Sequence, residues 1–183
     1  RSLKMLGNAK DNGINVTADT PLANLVYTEE SVQGFNSLFN VQPPLRSEAD
    51  RQALLAAVNA GELAISSNHR PHEIAAKKAP FADAEAGMSM FDSFLPLALQ
   101  LVEKGELSLS ALINAVSNRP AAILGMEQSL KEESWFNAAL IDPQAVRSVS
   151  KSSLYSKGKN SPLNNQDVKG SVSAVFVDGR RVF

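Results

Sequence analysis

The sequence predicts an α/β fold over residues 1–128, followed by a small β-rich segment over residues 129–183. In the first part, strand patterns at residues 14–18 and 63–66 flank a clear amphipathic helix, and polar residues follow each strand. Strand–helix–strand order with polar loops at the strand ends is typical of a parallel sheet or barrel. In the second part, apolar and polar residues alternate as in antiparallel strands.

The helix between the two strands has well-defined ends in the sequence. Ser47 can cap its first turn, and Asp50 occupies the third position as a shorter variant of the capping box. Gly61 ends the helix, since glycine readily adopts the left-handed conformation that follows a last helical turn. The apolar face of this helix consists of Leu54, Leu55 and Val58.

The remaining elements follow from the same periodicities. Helical patterns cover residues 1–12, 90–103, 108–116 and 120–124, and loops are predicted at residues 19–21 and 73–89. After Gly125, strand patterns appear at residues 138–141 and 170–183, with a hairpin turn at residues 177–180 that contains Gly179. The segment around Lys157, Lys159 and Lys169 is mildly basic, and we expect a solvated loop there.

The composition indicates an ordinary globular protein. The 183 residues are 44% hydrophobic and 20% charged, with a net charge of −1, so no basic excess is available for nucleic acid or an anionic membrane. The chain contains no cysteine, which fits a reducing, cytoplasmic location. The longest apolar run, residues 94–102, is too short to span a bilayer.

A helical pattern is already present at residue 1, so we expect this sequence to be a piece of a longer chain.

Both histidines of the chain, His69 and His72, lie in the loop that follows the second strand. Such a loop can hold a metal, but a zinc site needs three or four ligands, and isolated loop histidines are more often packing or surface residues. Asn68 stands where an acid would serve as a base, and an amide has no proton to exchange at neutral pH. An asparagine at a strand end is also a common turn former.

Seven stretches combine into one pattern: VTAD (16–19), NLVYTEE (24–30), VQPPLRSEADRQALL (41–55), SSNHRPHEIAAK (66–77), SNRPAAILGM (117–126), SKGKNSPL (156–163) and GSVSAVFVDGRRV (170–182). In this order and spacing they resemble the dihydroorotase family. Members of this family are metal-dependent (β/α)₈ barrels that interconvert carbamoyl aspartate and dihydroorotate in pyrimidine synthesis. The resemblance implies that the chain is the C-terminal half of such a barrel plus part of a small β-sandwich domain.

The resemblance also implies that the metal centre has been lost. The family's aspartate, both metal ligand and base, is Asn68 here, and a family histidine ligand aligns with Ala23 and Asn24. We therefore expect no catalytic residue, no metal ligand and no bound zinc. The family's first metal-ligand pair and its bridging lysine lie upstream of the stretches that match this sequence.

The family's substrate contacts are partly kept. His72 and Gly87 match substrate-contacting positions, and Gln42 replaces a substrate-contacting asparagine, so these three are vestigial substrate-binding residues. Asp92 replaces a glutamate of the family pattern, and Lys77 matches a family lysine downstream of the histidines.

A dihydroorotase-like chain without a metal site resembles the non-catalytic chains that assemble with bacterial aspartate carbamoyltransferase and support its activity. The partners implied are the transferase's catalytic chains, further copies in a hetero-oligomer, and the missing N-terminal half of the barrel. Two other interpretations stay open: an active dihydroorotase or hydantoinase-like enzyme whose metal site is completed from upstream, and a pseudoenzyme that senses a metabolite through His72. Because half a barrel leaves unpaired strand edges, we do not expect residues 1–183 alone to form a stable monomer.

Overall fold

The computed structural model describes residues 1–126 and 135–183, in which helices and short strands precede an antiparallel sheet. The elements are α1 (Ser2–Asp11), β1 (Asp19–Pro21), α2 (Leu22–Val26), α3 (Glu48–Asn59), β2 (Ala64–Ser66), α4 (Phe91–Glu103), α5 (Leu109–Ile113), α6 (Arg119–Ile123), β3 (Ala138–Val149), β4 (Gln166–Val177) and β5 (Arg180–Arg181). Short 3₁₀ segments lie at Glu29–Phe35, Ser37–Phe39 and Ala75–Lys77. The predicted α/β organisation is confirmed in this order of elements.

The first strand lies further along the chain than predicted. β1 occupies Asp19–Pro21, which the sequence indicated as a loop, and residues 14–18 form no regular structure. The position of β1 is decided by its parallel pairing with β2, in which Asp19 faces Ala64 and Pro21 faces Ser66. The pairing buries Thr20 and Pro21, whereas Ile14 and Thr17 are exposed, so the alternation at residues 14–18 was not a strand signal.

The capped helix between the strands is confirmed. α3 begins after Ser47, whose hydroxyl oxygen accepts a hydrogen bond from the Asp50 N–H at 3.3 Å. Arg51 on this helix bonds Glu48 and reaches across to Glu106, with N–O distances of 2.7 Å to each carboxylate. Its guanidinium also donates to the Leu25 carbonyl oxygen at 2.9 Å, which ties α3 to the end of α2.

The hydrophobic core lies between the two-stranded sheet and the surrounding helices. Leu22 and Leu25 of α2 pack with Leu55 and Val58 of α3, all of them buried. The core continues into α4, α5 and the loops around the strand ends through Val41, Leu45, Leu63, Ile65, Met88, Met90, Leu97, Leu101, Leu107, Leu112 and Ala115. Burial of these side chains stabilises the scaffold by about 1.5–3 kcal/mol for each large aliphatic group.

The helices of residues 108–124 join into one longer element. α5 continues through a wider turn at Asn114–Asn118 into α6, which has Pro120 in its first turn as predicted. Arg119 donates from its guanidinium to the Gly61 carbonyl oxygen at 2.6 Å, and this bond fastens the element to the end of α3.

The C-terminal part forms a three-stranded antiparallel sheet in the order β3–β4–β5. The predicted hairpin is confirmed: Val177 pairs with Arg180, and Asp178 and Gly179 take φ values of 49° and 74° in the turn. The predicted boundary between residues 128 and 129 lies outside the described residues. Residues 135–183 contain one three-stranded sheet as far as the structure describes them, and a sandwich needs a second sheet facing it. The β-sandwich therefore stays a prediction.

The sheet docks on α4 at a point of close approach. Gly170 of β4 has φ +99°, and a Cβ built there would lie 2.5 Å from Leu99 Cδ1. Glycine at this position therefore lets the sheet and the helix touch. In the part of the chain that the structure describes, no helix is long and apolar enough to cross a membrane.

We expect Gly170→Ala in the full-length protein to lower the free energy of unfolding by about 1–3 kcal/mol, because the methyl group would overlap Leu99 in a strained backbone conformation. Urea denaturation measures the change. Gly105→Ala is the control, since its φ of +71° also disfavours a Cβ, while nothing lies within 4 Å of a Cβ built there. A Gly170→Ala protein as stable as the wild type would contradict the close approach.

Candidate functional site

The candidate site lies at the edge where β1 and β2 both end. Because the two strands are parallel and Pro21 pairs with Ser66, residues 22–24 and 67–72 leave the sheet at the same side. In parallel α/β folds this edge carries the functional loops. The structure thus brings the predicted positions Ala23 and Asn24 to the same edge as Asn68, His69 and His72.

The Asn68 side chain bonds the neighbouring loop. Its amide Nδ2 donates to the main-chain oxygen of Gln42 at 2.8 Å, and its backbone has φ 43°. Asparagine is one of the few residues that adopt this left-handed conformation readily. The amide therefore acts as a donor that joins the loop after β2 to the Gln42–Pro44 turn. The Gln42 residue is exposed and contributes its main-chain carbonyl to this contact.

The His69 side chain caps helix α4. Its Nδ1 accepts hydrogen bonds from the Met90 and Phe91 N–H groups at 3.0 and 3.2 Å, and its ring stacks on Phe91 with centroids 4.0 Å apart. Burial lowers the pKa of His69, and the Asp92 carboxylate offsets part of this effect. Because Nδ1 accepts two N–H bonds, the neutral imidazole is the form that fits.

His72 and Gly87 lie in contact with each other. The His72 ring Nε2 is 3.1 Å from the Ala86 carbonyl oxygen, which can only accept, so Nε2 carries a proton. A Cβ at Gly87, whose φ is +153°, would lie 2.7 Å from this Nε2 and 2.6 Å from Arg70 Cβ. The structure therefore brings together His72 and Gly87, the two predicted substrate-contacting residues. The Nε2 of His72 is bonded to the main chain.

Asn160 is the residue of this site that sequence reasoning missed. Its Oδ1 accepts from the His72 N–H at 2.9 Å, and its Nδ2 donates to the carbonyl oxygens of Arg70 and Gly87 at 3.3 and 3.2 Å. Its own carbonyl accepts from the Ser89 N–H at 3.0 Å. Asn160 lies 88 residues from His72 in the sequence and is 8% exposed in the structure. The one sequence signal that points to Asn160 is its place in the SKGKNSPL stretch.

Ala23 and Asn24, where the family resemblance expects a lost histidine, are both buried at the start of α2. Asn24 donates from Nδ2 to the Pro44 carbonyl oxygen at 3.0 Å, and its Oδ1 is buried without a hydrogen-bond partner among the described residues. Over residues 1–126 and 135–183, no three side chains of His, Asp or Glu come together as metal ligands would.

Asp92 and Lys77 also bond to the main chain. The two Asp92 carboxylate oxygens accept from the Tyr155 and Ser156 N–H groups at 2.9 and 3.2 Å. The Lys77 ammonium donates to the Glu85 carbonyl oxygen at 2.7 Å, and burial lowers its pKa, partly offset by the Glu85 carboxylate. Both side chains thus brace loops around the site.

Comparison with known proteins identifies the relatives of this chain. A dihydroorotase-like protein of Pseudomonas aeruginosa is 42% identical over 181 residues, which cover 98% of this chain and 43% of the relative. A dihydroorotase of Geobacter metallireducens is 36% identical over 184 residues, covering all of this chain and 43% of the relative. The chain belongs to the dihydroorotase family. It spans less than half the length of these curated relatives. No family model matches it.

Solved structures support the same fold. An L-hydantoinase (dihydropyrimidinase) from Arthrobacter aurescens superposes with a TM-score of 0.87 at 24% identity, covering 98% of this chain and 42% of that one. An inactive dihydroorotase-like domain of the Chaetomium thermophilum CAD-like multifunctional protein superposes with a TM-score of 0.67 at 18% identity, covering 97% and 47%. The chain therefore shares the α/β fold of the matched parts of these two structures.

We expect Asn160→Ala in the full-length protein to lower the free energy of unfolding by about 2–3 kcal/mol, because buried main-chain groups would lose their partners. Thermal and urea denaturation measure this change. Asn8→Ala on the exposed face of α1 is the matched control, with an expected change within about 0.5 kcal/mol. Equal effects of the two substitutions would contradict the bracing role of Asn160.

The His69 cap predicts a pH dependence of stability. Since the folded state lowers the pKa of His69 below its ordinary value of 6.5, the cap's contribution is complete above pH 6.5 and is lost as the pH falls through the folded pKa. We expect the full-length wild type to lose more stability between pH 7.5 and pH 5 than His69→Gln, whose acceptor does not titrate. Urea unfolding at both pH values tests this, and parallel losses would contradict it.

Proposed function

We propose that the full-length protein is a non-catalytic dihydroorotase-like subunit that assembles with aspartate carbamoyltransferase in cytoplasmic pyrimidine biosynthesis and supports its activity. The observation that carries the proposal is the hydrogen bond from the Asn68 amide to the Gln42 carbonyl oxygen. At this position the family resemblance expects an aspartate that binds metal and takes a proton. An amide cannot take that proton at neutral pH, and its oxygen is a weaker, uncharged metal ligand.

The chemistry of the neighbouring side chains supports the same interpretation. His69 Nδ1 accepts two helix N–H bonds, and His72 Nε2 donates to a main-chain carbonyl. Loss of a positioned general base lowers a rate by about 10²–10⁴. The loss of a histidine ligand at Ala23 and Asn24 would weaken the metal site as well.

An architectural role fits the contrast between the site and the scaffold. The apolar core, the capped helix α3 and the C-terminal sheet are all present over the described residues. The loops of the former site are fixed to one another by main-chain hydrogen bonds. A subunit that serves assembly needs this rigid surface and no chemistry. We propose that its other partners are further copies of itself and the part of its own barrel that this chain does not span, which would pair with the edges of β1 and β2.

The alternative is an active zinc-dependent dihydroorotase with an atypical metal site. It is favoured by the 36% identity to a dihydroorotase and by the survival of His69 and His72. In that case ligands from the remaining part of the protein would hold the metal, and the Asn68 side chain would have to leave Gln42. The two proposals differ in metal content and turnover.

Zinc analysis and dihydroorotate hydrolysis, both on the full-length protein grown with added zinc, separate the two functions. We expect less than stoichiometric zinc and no turnover above the uncatalysed rate. A known dihydroorotase purified in parallel is the positive control. Stoichiometric zinc together with turnover would reject the non-catalytic role.

We further expect Asn68→Asp to stay inactive and to lower the free energy of unfolding by about 1–2 kcal/mol, since a carboxylate cannot donate to the Gln42 carbonyl. Asn8→Asp introduces the same charge on an exposed helix face and is the matched control. Turnover restored by Asn68→Asp alone would show that only one group separates this protein from an active enzyme.

The assembly itself is tested by co-expression with the aspartate carbamoyltransferase chain of the same organism, followed by size-exclusion chromatography with light scattering. We expect one complex, and a transferase that is less active or less stable when expressed alone. Two separate species, with a transferase that is fully active by itself, would reject the assembly role without bearing on the missing catalysis.

A further inference from the structure

Four lysines line a cleft of about 270 Å³ behind the site loops. They come from two segments, the loop after His72 and the loop before Asn160, and we call this the lysine cleft. Its lysines are Lys77, Lys78, Lys151 and Lys159. The sequence indicated only a solvated basic loop around Lys159, and the contribution of residues 77, 78 and 151 appears only in the fold.

Two of these lysines are held in fixed positions. Lys77 donates to the carbonyl oxygens of Glu85 and Asn40 at 2.7 and 3.3 Å. Lys159 donates to those of Leu154 and Ser156 at 2.9 and 2.6 Å. Each ammonium has three N–H groups, so one on each lysine is left for a further acceptor. Holding these flexible side chains in advance lowers the entropy lost when a ligand binds.

The positive charge of the lysine cleft is not balanced by ion pairs. The ion pairs of residues 1–126 and 135–183 involve Arg46, Arg51 and Lys169, and no carboxylate oxygen of these residues lies within 4.0 Å of the four cleft ammonium groups. Glu85 is close enough to act on Lys77 electrostatically without forming such a pair. Lys78 and Lys151 are exposed. The cleft therefore presents a local field that attracts anions.

Asn164 holds the loop that carries Lys159. Its Nδ2 donates to the Lys159 carbonyl oxygen at 2.9 Å, and Asn164 lines the cleft beside the lysines. The main chain at Lys159 is therefore fixed as well as its ammonium group.

We propose that the lysine cleft binds a phosphate group, as in inorganic phosphate or a phosphate monoester. Such a group offers at least three acceptor oxygens, which can bond several of the lysines at once. An ionised carboxylate offers only two oxygens. The volume of the cleft is below the range of about 300–1,000 Å³ that is typical of pockets for drug-sized ligands, which favours a small anion.

Isothermal titration of the full-length protein with inorganic phosphate at low ionic strength tests this site. We expect saturable binding of one phosphate, weakened about tenfold or more in the double variant Lys78→Gln/Lys151→Gln, because charge-assisted contacts are lost. Both lysines are exposed, so these substitutions should leave the fold intact, which circular dichroism checks. The double variant Lys4→Gln/Lys104→Gln makes the same change of charge on exposed lysines elsewhere and should bind as the wild type does.

Acetate has one negative charge and two acceptor oxygens, so it tests whether several contacts to the lysines are needed. We expect phosphate to bind about tenfold more tightly than acetate. Tighter binding of a nucleoside monophosphate than of inorganic phosphate would assign the ligand to the monoesters. No saturable phosphate binding, equal affinity for acetate, or unchanged binding in Lys78→Gln/Lys151→Gln would each overturn the proposal.

Discussion

The Asn160 side chain holds the loops of the candidate site in place. It bonds Arg70 and His72 on one loop and Gly87 on another, while its own carbonyl bonds Ser89. The loops can approach this closely because neither Gly87 nor Gly158 has a Cβ, and one built at Gly158 would lie 2.6 Å from the His72 nitrogen. The C-terminal segment is thereby part of the site, and the geometry of the edge beyond β2 depends on it.

This arrangement joins several polar side chains of the candidate site to the backbone. Asn68 donates to one loop, His69 caps a helix and Asp92 accepts from two N–H groups. Active sites commonly keep polar groups poorly satisfied so that they can act on a substrate, which lowers stability. Under the proposed non-catalytic role, the chain can complete these hydrogen bonds instead. The site would then contribute to the rigidity of the scaffold, which the proposed assembly requires.

The parts of the fold that the sequence predicted correctly depend on local signals. Ser47 and Gly61 mark the two ends of α3, and Asp178 with Gly179 forms the predicted hairpin turn. The position of β1 could not be predicted in this way, because its register is decided by β2, which is distant in the sequence. Asn160 and the lysine cleft were missed for the same reason: their partners are brought together only by the tertiary fold.

The left-handed backbone at Asn68 explains why an asparagine is suited to this position. Both asparagine and aspartate tolerate a φ of 43°, so the backbone conformation does not choose between them. The choice is made by the Gln42 carbonyl oxygen 2.8 Å away, which attracts an amide donor and repels a carboxylate. A metal at this position would reverse that preference by attracting the carboxylate. The amide at residue 68 and the proposed loss of the metal are therefore consistent with each other, because without a metal nothing favours an aspartate at this position.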